Sequence, residues 1–206
     1  MIDPYDLTKP WDARRLQEWF LFGICVAGKS ASQTAAKVEG FLYKDWMEIG
    51  PDFVAAPLPF ETVQSLINQR KLDSQLRRHK LGQYKRINKA MCGMILIDPA
   101  TVTLEELEQI HGVGAKTARM LLLYTRPDQE MIPLDTHVLK WLRANGYNAP
   151  KSTPPPGKKY RELELAFIEE GKKRGLTAKE WDTQVWQQYA GANKRAARNQ
   201  NGQVIP

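Results

Sequence analysis

The sequence predicts an all-α fold, and three observations lead to this prediction. Apolar residues recur every three or four positions through most of the chain, which is the spacing of one face of an α-helix. Residues that cap helices precede several of these segments, and glycines follow them. No alternation of apolar and polar residues longer than four positions is convincing, so no β-strand is expected.

Four helices are predicted in the first half of the chain, at residues 11–27, 32–42, from about Phe60 onward, and 86–97. Gly28, Lys29 and Ser30 interrupt the helical pattern of apolar residues after the first helix. The hydroxyl of Ser32 is expected to cap the second helix. Prolines at positions 57 and 59 prevent regular helix in the residues just before the third helix.

Five helices are predicted in the second half, at about residues 104–110, 115–124, 136–145, 159–173 and 177–190. Thr103 begins the first of them through a capping box with Glu106, in which each side chain bonds the other residue's main-chain N–H. Asp135 stands at the cap position of the third helix, and Gly146 ends it. A proline-rich surface connection, residues 148–157, precedes the last two.

The distribution of charge points to a polyanionic partner. The 206 residues carry a net charge of +7. Residues 70–89, called the basic segment below, contain eight lysines and arginines against Asp73 alone, so this segment carries as much net charge as the whole chain. The segment is either a solvated helix face or a surface facing DNA phosphates, whose neutralisation dominates nucleic-acid affinity.

The remaining composition excludes several classes of protein. No apolar run approaches the roughly 20 residues of a membrane helix, and the first residues show no signal-peptide pattern. The two cysteines, Cys25 and Cys92, lie in apolar helical contexts and are expected to be buried free thiols. Two cysteines cannot form a four-cysteine zinc or iron–sulfur site. We expect a cytoplasmic protein without an iron–sulfur cluster and without a membrane partner.

Residues 104–124, LEELEQIHGVGAKTARMLLLY, place two short helices on either side of a Gly-x-Gly turn. Gly112 and Gly114 suit a backbone that turns sharply and approaches another backbone closely. The N–H groups of these glycines and of Ala115 would form an anion site for a DNA phosphate. Taken alone, the pattern predicts a helix-hairpin-helix element that binds DNA, which many non-catalytic proteins also carry.

Two further residues connect this element with chemistry. Lys116 lies at the start of the second helix, and Asp135 follows in the loop PLDTHV. The whole segment 104–142 resembles the helix-hairpin-helix superfamily of DNA glycosylases, which includes endonuclease III and the 8-oxoguanine glycosylases. Its hallmark is a Gly-Val-Gly-x-Lys hairpin followed by an Asp-Thr-His loop. The hairpin departs from the family at His111, where proline is usual; the departure concerns the rigidity of the turn rather than the chemistry.

The resemblance covers roughly residues 15–145, and it implies an architecture. Two helical subdomains would enclose a DNA-binding cleft, with the hairpin and Asp135 meeting there. Residues 1–45 and 130–206 would form one subdomain, and residues 46–129 the other. The four-cysteine cluster of many endonuclease III relatives is absent from the sequence.

The resemblance also implies a mechanism. A damaged base would be flipped out of the duplex, and Lys116 would attack the sugar as a neutral amine. The resulting Schiff base permits strand cleavage by β-elimination. Asp135 would stabilise positive charge on the sugar or help to activate the amine. The residues alone leave two alternatives open: Lys116 as a phosphate contact, and Asp135 as a helix cap only.

Further candidate residues fall into three groups. Predicted DNA contacts, besides the hairpin residues Gly112, Gly114 and Ala115, are Lys29, Arg77, Arg78, Lys80, Gln83, Tyr84 and Lys85, with Gln83 or Tyr84 filling the gap left by the flipped base. Lys29 could equally be a solvated lysine, and His137 is expected to be a structural hydrogen-bonding residue. The predicted base pocket is Trp181, Gln184, Trp186 and Tyr189, for which core packing is the alternative. The main-chain carbonyls of Glu108, Ile110 and Val113 would hold K⁺ or Na⁺, as in the family.

The predicted function is a monomeric DNA glycosylase and abasic-site lyase acting on double-stranded DNA, with no required cofactor. An oxidised base, 8-oxoguanine, is the favoured substrate. One alternative is an enzyme of the same scaffold that acts on oxidised or hypermodified pyrimidines, including those of viral DNA. The other alternative is a helix-hairpin-helix module that binds DNA without catalysis.

Overall fold

The computed structural model describes residues 2–3, 10–47, 56–126 and 128–200. The described residues form ten α-helices and no β-strand, which confirms the predicted all-α class. The helices are α1 (Ala13–Val26), α2 (Ala31–Met47), α3 (Pro59–Asn68), α4 (Leu72–Arg78), α5 (Tyr84–Met94), α6 (Leu104–Gln109), α7 (Ala115–Thr125), α8 (Thr136–Ala144), α9 (Lys158–Lys172) and α10 (Ala178–Gln200). None of these helices is long and apolar enough to cross a bilayer.

Several predicted helix boundaries require correction. Helix α2 begins at Ala31 and continues to Met47, so Ser32 lies inside the helix and is not its cap. Helix α5 covers residues 84–94 instead of 86–97, because residues 95–97 leave the helix in a turn. Helix α10 continues to Gln200, beyond the predicted end at residue 190. By contrast, the predicted capping box at Thr103 is confirmed: its hydroxyl accepts from the N–H of Glu106, whose carboxylate accepts from the N–H of Thr103.

The chain divides into two compact units, residues Met1–Leu121 and Leu122–Pro206. In the first unit, α1 packs on α2, α3 and α5, and its buried side chains include Phe20, Leu21 and Ile24. The side chain of Ile110, in the turn between α6 and α7, lies against Gly93 of α5. The first unit thus contains the basic segment, α6, this turn and α7 as far as Leu121.

The second unit packs α8 against α9 and α10. Its core is aromatic: the ring of Phe167 meets the rings of Trp141 and Trp181 at centroid distances of 5.3 and 5.6 Å. Asp135 precedes α8 and lies in this unit.

Candidate active site

Two features define the turn between α6 and α7: one hydrogen bond between residues three positions apart, and the close approach of Gly112 to Arg86. The N–H of Val113 donates to the carbonyl of Ile110 at 2.9 Å, which closes the turn. Gly112 has a φ of +88°, a value that L side chains rarely adopt. A Cβ at this position would lie 2.8 Å from Cγ of Arg86 and 3.1 Å from its carbonyl oxygen. The fold therefore requires glycine at position 112 for two separate reasons: the positive φ and the lack of room for a Cβ atom.

Gly114 differs from Gly112 in both respects. Its φ is not positive, and no heavy atom would lie within 4 Å of a Cβ placed on it. The folded chain itself thus does not require glycine at this position. An open main-chain surface at the start of α7 is what a bound phosphate would need in order to reach the N–H groups of the turn.

Arg86 joins three parts of the first unit through its guanidinium group. It donates to the carbonyls of Gly112 at 2.8 Å and of Ile24 at 2.7 Å, and to the side-chain oxygen of Gln83 at 2.6 Å. Burial lowers the pKa of this guanidinium, which nonetheless stays charged because arginine titrates far above neutral pH. The hairpin turn, the end of α1 and the loop before α5 are therefore held together by one side chain.

A second arginine braces the hairpin internally. Arg119 of α7 is buried and pairs with the carboxylate of Glu108 in α6, and it also donates to the carbonyl of Ala115 at 3.3 Å. This ion pair links the two helices of the hairpin.

Lys116 lies in the first turn of α7, and its side chain is half-buried. Among the residues that the structure describes, it has no hydrogen-bond or ion-pair partner. An amine with no internal partner is available to a ligand, whether as a nucleophile or as a phosphate contact.

Asp135 caps α8, as predicted from the sequence. Its Oδ1 atom accepts from the N–H groups of His137 at 2.8 Å and Val138 at 2.9 Å. The other oxygen, Oδ2, has no hydrogen-bond donor within the described part of the chain. The cap and a second function of the carboxylate are therefore compatible, since each oxygen can serve one of them.

A buried tyrosine–carboxylate pair lies near Asp135 within the second unit. The hydroxyl of Tyr124 donates to Oδ2 of Asp182 at 2.6 Å, and Asp182 is buried. Burial raises the pKa of Tyr124, the carboxylate of Asp182 raises it further, and the charge of Asp135 adds a smaller increase. The tyrosine thus stays protonated at neutral pH and serves as a hydrogen-bond donor.

The basic segment presents almost all of its charge to solvent. Seven of its eight basic side chains are exposed, and the exception is Arg86. Arg77 pairs with Asp73 at 2.8 Å and lies over the ring of Tyr84 at 4.7 Å from its centroid. Gln83 is exposed and holds a positive φ of 43° just before α5. Arg78, Lys80 and Lys85 are also exposed.

A groove of about 460 Å³ lies beside this segment. Its lining residues are Asp73, Lys85, Arg86, Asn88, Lys89 and His111. Lys85 and Lys89, one helical turn apart, have no ion-pair partner among the described residues. Two lysines at this spacing repel each other, and an anion bound in the groove would offset that repulsion by its attraction to both.

Lys29 has a structural role that the sequence did not indicate. Its ammonium group donates to the carbonyls of Cys25, at 2.8 Å, and Leu81. Burial lowers the pKa of Lys29, the nearby thiol of Cys25 opposes this shift, and the charge of Arg86 adds to it. The amine thus ties the end of α1 to the loop before α5, and its predicted contact with DNA stays a prediction.

The predicted base-pocket residues occupy different environments. Trp181 is only 7% exposed and packs against Trp141 and Phe167, which agrees with the alternative of core packing. Trp186 is 37% exposed and meets the ring of His137 edge-on, and Tyr189 stacks on the same imidazole at a centroid distance of 6.3 Å.

The fourth member, Gln184, is exposed. His137 contacts aromatic rings instead of forming the side-chain hydrogen bond expected of it, since no such bond occurs among the described residues. A role of Gln184, Trp186 and Tyr189 in base recognition stays a prediction.

The predicted cation site consists of main-chain carbonyls at the hairpin. The carbonyl of Ile110 already accepts from Val113, which leaves it one lone pair for an ion. Ile110 and Val113 are the two ends of the turn that this bond closes, and Glu108 lies two residues before it in α6. Main-chain carbonyls of this kind suit a hard cation. In the described part of the chain, no three acidic, histidine or cysteine side chains cluster as a metal site would require.

A comparison of the chain with models of known protein families finds no match.

Two arginines that hold the hairpin, Arg86 and Arg119, are not among the residues that the sequence predicts for the site. The sequence shows Arg86 only as part of the basic segment, since no local pattern indicates that its partners lie elsewhere in the chain.

Proposed function

We propose that this protein is a DNA glycosylase with abasic-site lyase activity, in which Lys116 is the nucleophile. The observation that carries the proposal is the hairpin itself. Its turn is braced by Arg86 and Arg119, and its surface at Gly114 is open. The amine of Lys116 beside it has no partner among the residues that the structure describes. A rigid anion site with an uncommitted amine is the combination that lysine attack on a DNA sugar needs.

The proposed architecture places this chemistry in a cleft between two helical subdomains. Residues 1–45 with 130–206 would form one subdomain, and residues 46–129 the other, with the hairpin facing Asp135 across the cleft. The support comes from the resemblance of residues 104–142 to the glycosylase hairpin and loop.

The proposed reaction begins with a nucleotide flipped out of the stack. The neutral amine of Lys116 attacks C1′ of the sugar, and the bond from C1′ to the base breaks, so that the base leaves with the electron pair and is then protonated. The sugar ring opens to an imine between Lys116 and C1′. Removal of a proton from C2′ expels the 3′ phosphate by β-elimination, and water finally releases the lysine.

Asp135 would act at the stage where positive charge develops on the sugar. One of its oxygens is held by the first N–H groups of α8, and the other has no internal donor among the described residues. A carboxylate held in this way stabilises an oxocarbenium-like charge without first having to reorganise.

DNA would be held by its backbone. The N–H groups of Gly112, Gly114 and Ala115 would bind one phosphate, and the carbonyls of the same turn would hold K⁺ or Na⁺ on its far side. The exposed cations of the basic segment, including Arg77, would follow the neighbouring phosphates. Gln83, exposed before α5, would fill the gap in the stack. The protein would work as a DNA-associated monomer in the cytoplasm.

Borohydride trapping tests the nucleophile. Wild-type protein incubated with an abasic duplex and borohydride is expected to form a covalent complex, because hydride reduces the imine to a stable amine. Lys116→Gln is expected to abolish trapping and to keep DNA binding. Lys151→Gln, which removes an exposed lysine from the proline-rich connection, is the matched control and should trap normally. Binding without trapping by the wild-type protein would favour the non-catalytic module.

We propose 8-oxoguanine as the excised base. The lysine nucleophile supports an oxidised substrate by resemblance, and exposed Trp186 and half-buried Tyr189 offer stacking surfaces for a bicyclic base. A panel of duplexes, each assayed with and without hot alkali, tests the choice. Cleavage at 8-oxoguanine opposite cytosine should be faster than at thymine glycol or at a modified thymine. If the pyrimidines react tenfold faster, about 1.4 kcal/mol in barrier, the alternative pyrimidine enzyme is the correct assignment.

A further inference from the structure

The segment that leads into Asp135 is buried although it belongs to neither a helix nor a sheet. Met131, Ile132, Pro133 and Leu134 are all buried, and none of them is helical or part of a strand. Buried main-chain N–H and C=O groups must be paired, and in a sheet a neighbouring strand would pair them. Here the N–H of Asp135 donates to the carbonyl of Pro133 at 2.5 Å, and the main-chain groups of Ile132 and Leu134 are paired by side chains.

Three side chains satisfy all four main-chain groups of Ile132 and Leu134. The first is Tyr160 of α9, which is 0% exposed: its hydroxyl donates to the carbonyl of Ile132 at 3.0 Å and accepts from the N–H of Leu134 at 2.9 Å. A phenol can do both because it carries one donor and free acceptor lone pairs. Tyr160 therefore fixes the separation of two main-chain groups on either side of Pro133.

The other two side chains complete the set. Glu164 of α9, also fully buried, accepts from the N–H of Ile132 at 2.9 Å, and its second oxygen pairs with Arg161 at 2.8 Å. The hydroxyl of Thr153 donates to the carbonyl of Leu134 at 2.8 Å. The residue immediately before Asp135 is thus held on both its N–H and its C=O.

This arrangement determines where the Asp135 carboxylate lies. The backbone before Asp135 is anchored to α9, and the Oδ1 atom is anchored to the first turn of α8. With both ends held, the position and direction of Oδ2 have little freedom. Displacements of about 1 Å in such a group can cost on the order of 10²-fold in rate.

We propose that Tyr160, supported by Glu164 and Thr153, is a positioning residue that sets the Asp135 carboxylate for catalysis. The proposal rests on the proposed glycosylase function. Tyr160 acts only through the backbone before Asp135 and touches no substrate. Its removal should therefore lower the rate of the chemical step and leave the affinity for DNA unchanged.

Tyr160→Phe tests the proposal, because the ring is kept and only the hydroxyl is removed. Single-turnover excision is expected to fall by about tenfold or more, with the dissociation constant for DNA changed less than about twofold. Tyr147→Phe is the matched control in the same unit, since its hydroxyl bonds Glu170 at 3.3 Å instead of the main chain before Asp135. The control should keep wild-type rates.

A double mutant separates positioning from a general loss of structure. In an Asp135→Asn background, Tyr160→Phe is expected to change the residual rate by less than about twofold, because the group that it positions is already disabled. An equal loss in both backgrounds would show that Tyr160 acts on the whole fold, and it would overturn the proposal. If Tyr160→Phe fails to fold, Thr153→Val, at an exposed position, replaces it in the same cycle with an expected loss of about threefold.

Amide exchange tests the geometry independently of any activity. Tyr160→Phe should accelerate exchange at the N–H of Leu134 and at the capped N–H groups of His137 and Val138. Unchanged exchange at Leu134 would refute the anchoring even if excision were impaired. Exchange could be accelerated in Tyr160→Phe while the wild-type protein gives no borohydride trapping. The anchoring of the segment before Asp135 would then stand, and only the proposed function would have failed.

Discussion

At the scale of single residues, Asp135 combines a cap that is observed with a catalytic role that is proposed. The cap uses Oδ1 alone, with bonds of 2.8 and 2.9 Å to two N–H groups. Asparagine also offers an Oδ1 acceptor and is as good a helix cap as aspartate. The two roles can therefore be separated by the choice of substitution.

Asp135→Asn is expected to lower single-turnover excision by about 10²–10⁴-fold, because it removes the negative charge that would stabilise the transition state. Its free energy of unfolding should stay near that of the wild type, since the cap is kept. Asp135→Ala should lose activity to a similar extent and also about 1 kcal/mol of stability. Excision assays, DNA affinity and urea unfolding measure the three quantities. Unchanged excision by Asp135→Asn would make this residue a cap and nothing more.

At the scale of elements, the hairpin depends on two glycines for different reasons. Gly112 has a positive φ and lies against Arg86, whereas Gly114 has neither constraint. Stability and DNA binding should therefore respond differently at the two positions. Gly146 supplies a comparison, because its φ of +84° is similar to that of Gly112 but no atom would lie within 4 Å of its Cβ.

Gly112→Ala is expected to destabilise the protein by about 2–4 kcal/mol, the sum of an unfavourable φ and a clash with the main chain of Arg86. Gly146→Ala should cost only the conformational part, about 1 kcal/mol. Gly114→Ala should leave stability within about 0.5 kcal/mol and reduce DNA affinity about tenfold or more, since the new methyl group would meet the phosphate. Urea unfolding and fluorescence anisotropy report the two effects. Equal losses of stability at Gly112 and Gly146 would contradict the close approach to Arg86.

At the scale of the whole molecule, charge is concentrated where the proposed DNA surface lies. The basic segment carries as much net charge as the entire chain, and all of its basic residues except Arg86 are exposed. Its contribution to affinity should be general for all DNA sequences, because phosphates carry no sequence information.

Reversal of charge at Arg77 and Arg78 to glutamate is expected to weaken binding to every duplex and to flatten the dependence of log K on log salt by about one to two units. The same reversal at Lys158 and Lys159, two exposed lysines at the start of α9, changes the net charge equally. That control should have a much smaller effect on both quantities. A loss confined to one lesion would show that the basic segment reads bases, and equal losses in both variants would show that only net charge matters.

Local features of this protein could be predicted from its sequence. The caps at Thr103 and Asp135, the turn at Gly112 and the end of α8 at Gly146 all occur as predicted. Each depends on residues within a few positions of one another, so its physical cause is contained in a short stretch of sequence. Helix boundaries follow less directly from the sequence, as the start of α2 before Ser32 shows, because packing extends or shortens a helix beyond its local signals.

The sequence by itself thus determined the all-α class, the hairpin and the candidate residues Lys116 and Asp135. Only the tertiary structure decided what holds them in place. The guanidinium of Arg86 bonds carbonyls 26 and 62 positions away, and the hydroxyl of Tyr160 bonds main-chain groups 26 and 28 positions away. Tyr160 lies on the periodic buried face of α9, but neither that periodicity nor a short motif identifies the groups that the two side chains bond. Partners so distant in the chain meet only after the helices have packed, and so their pairing cannot be read from local sequence.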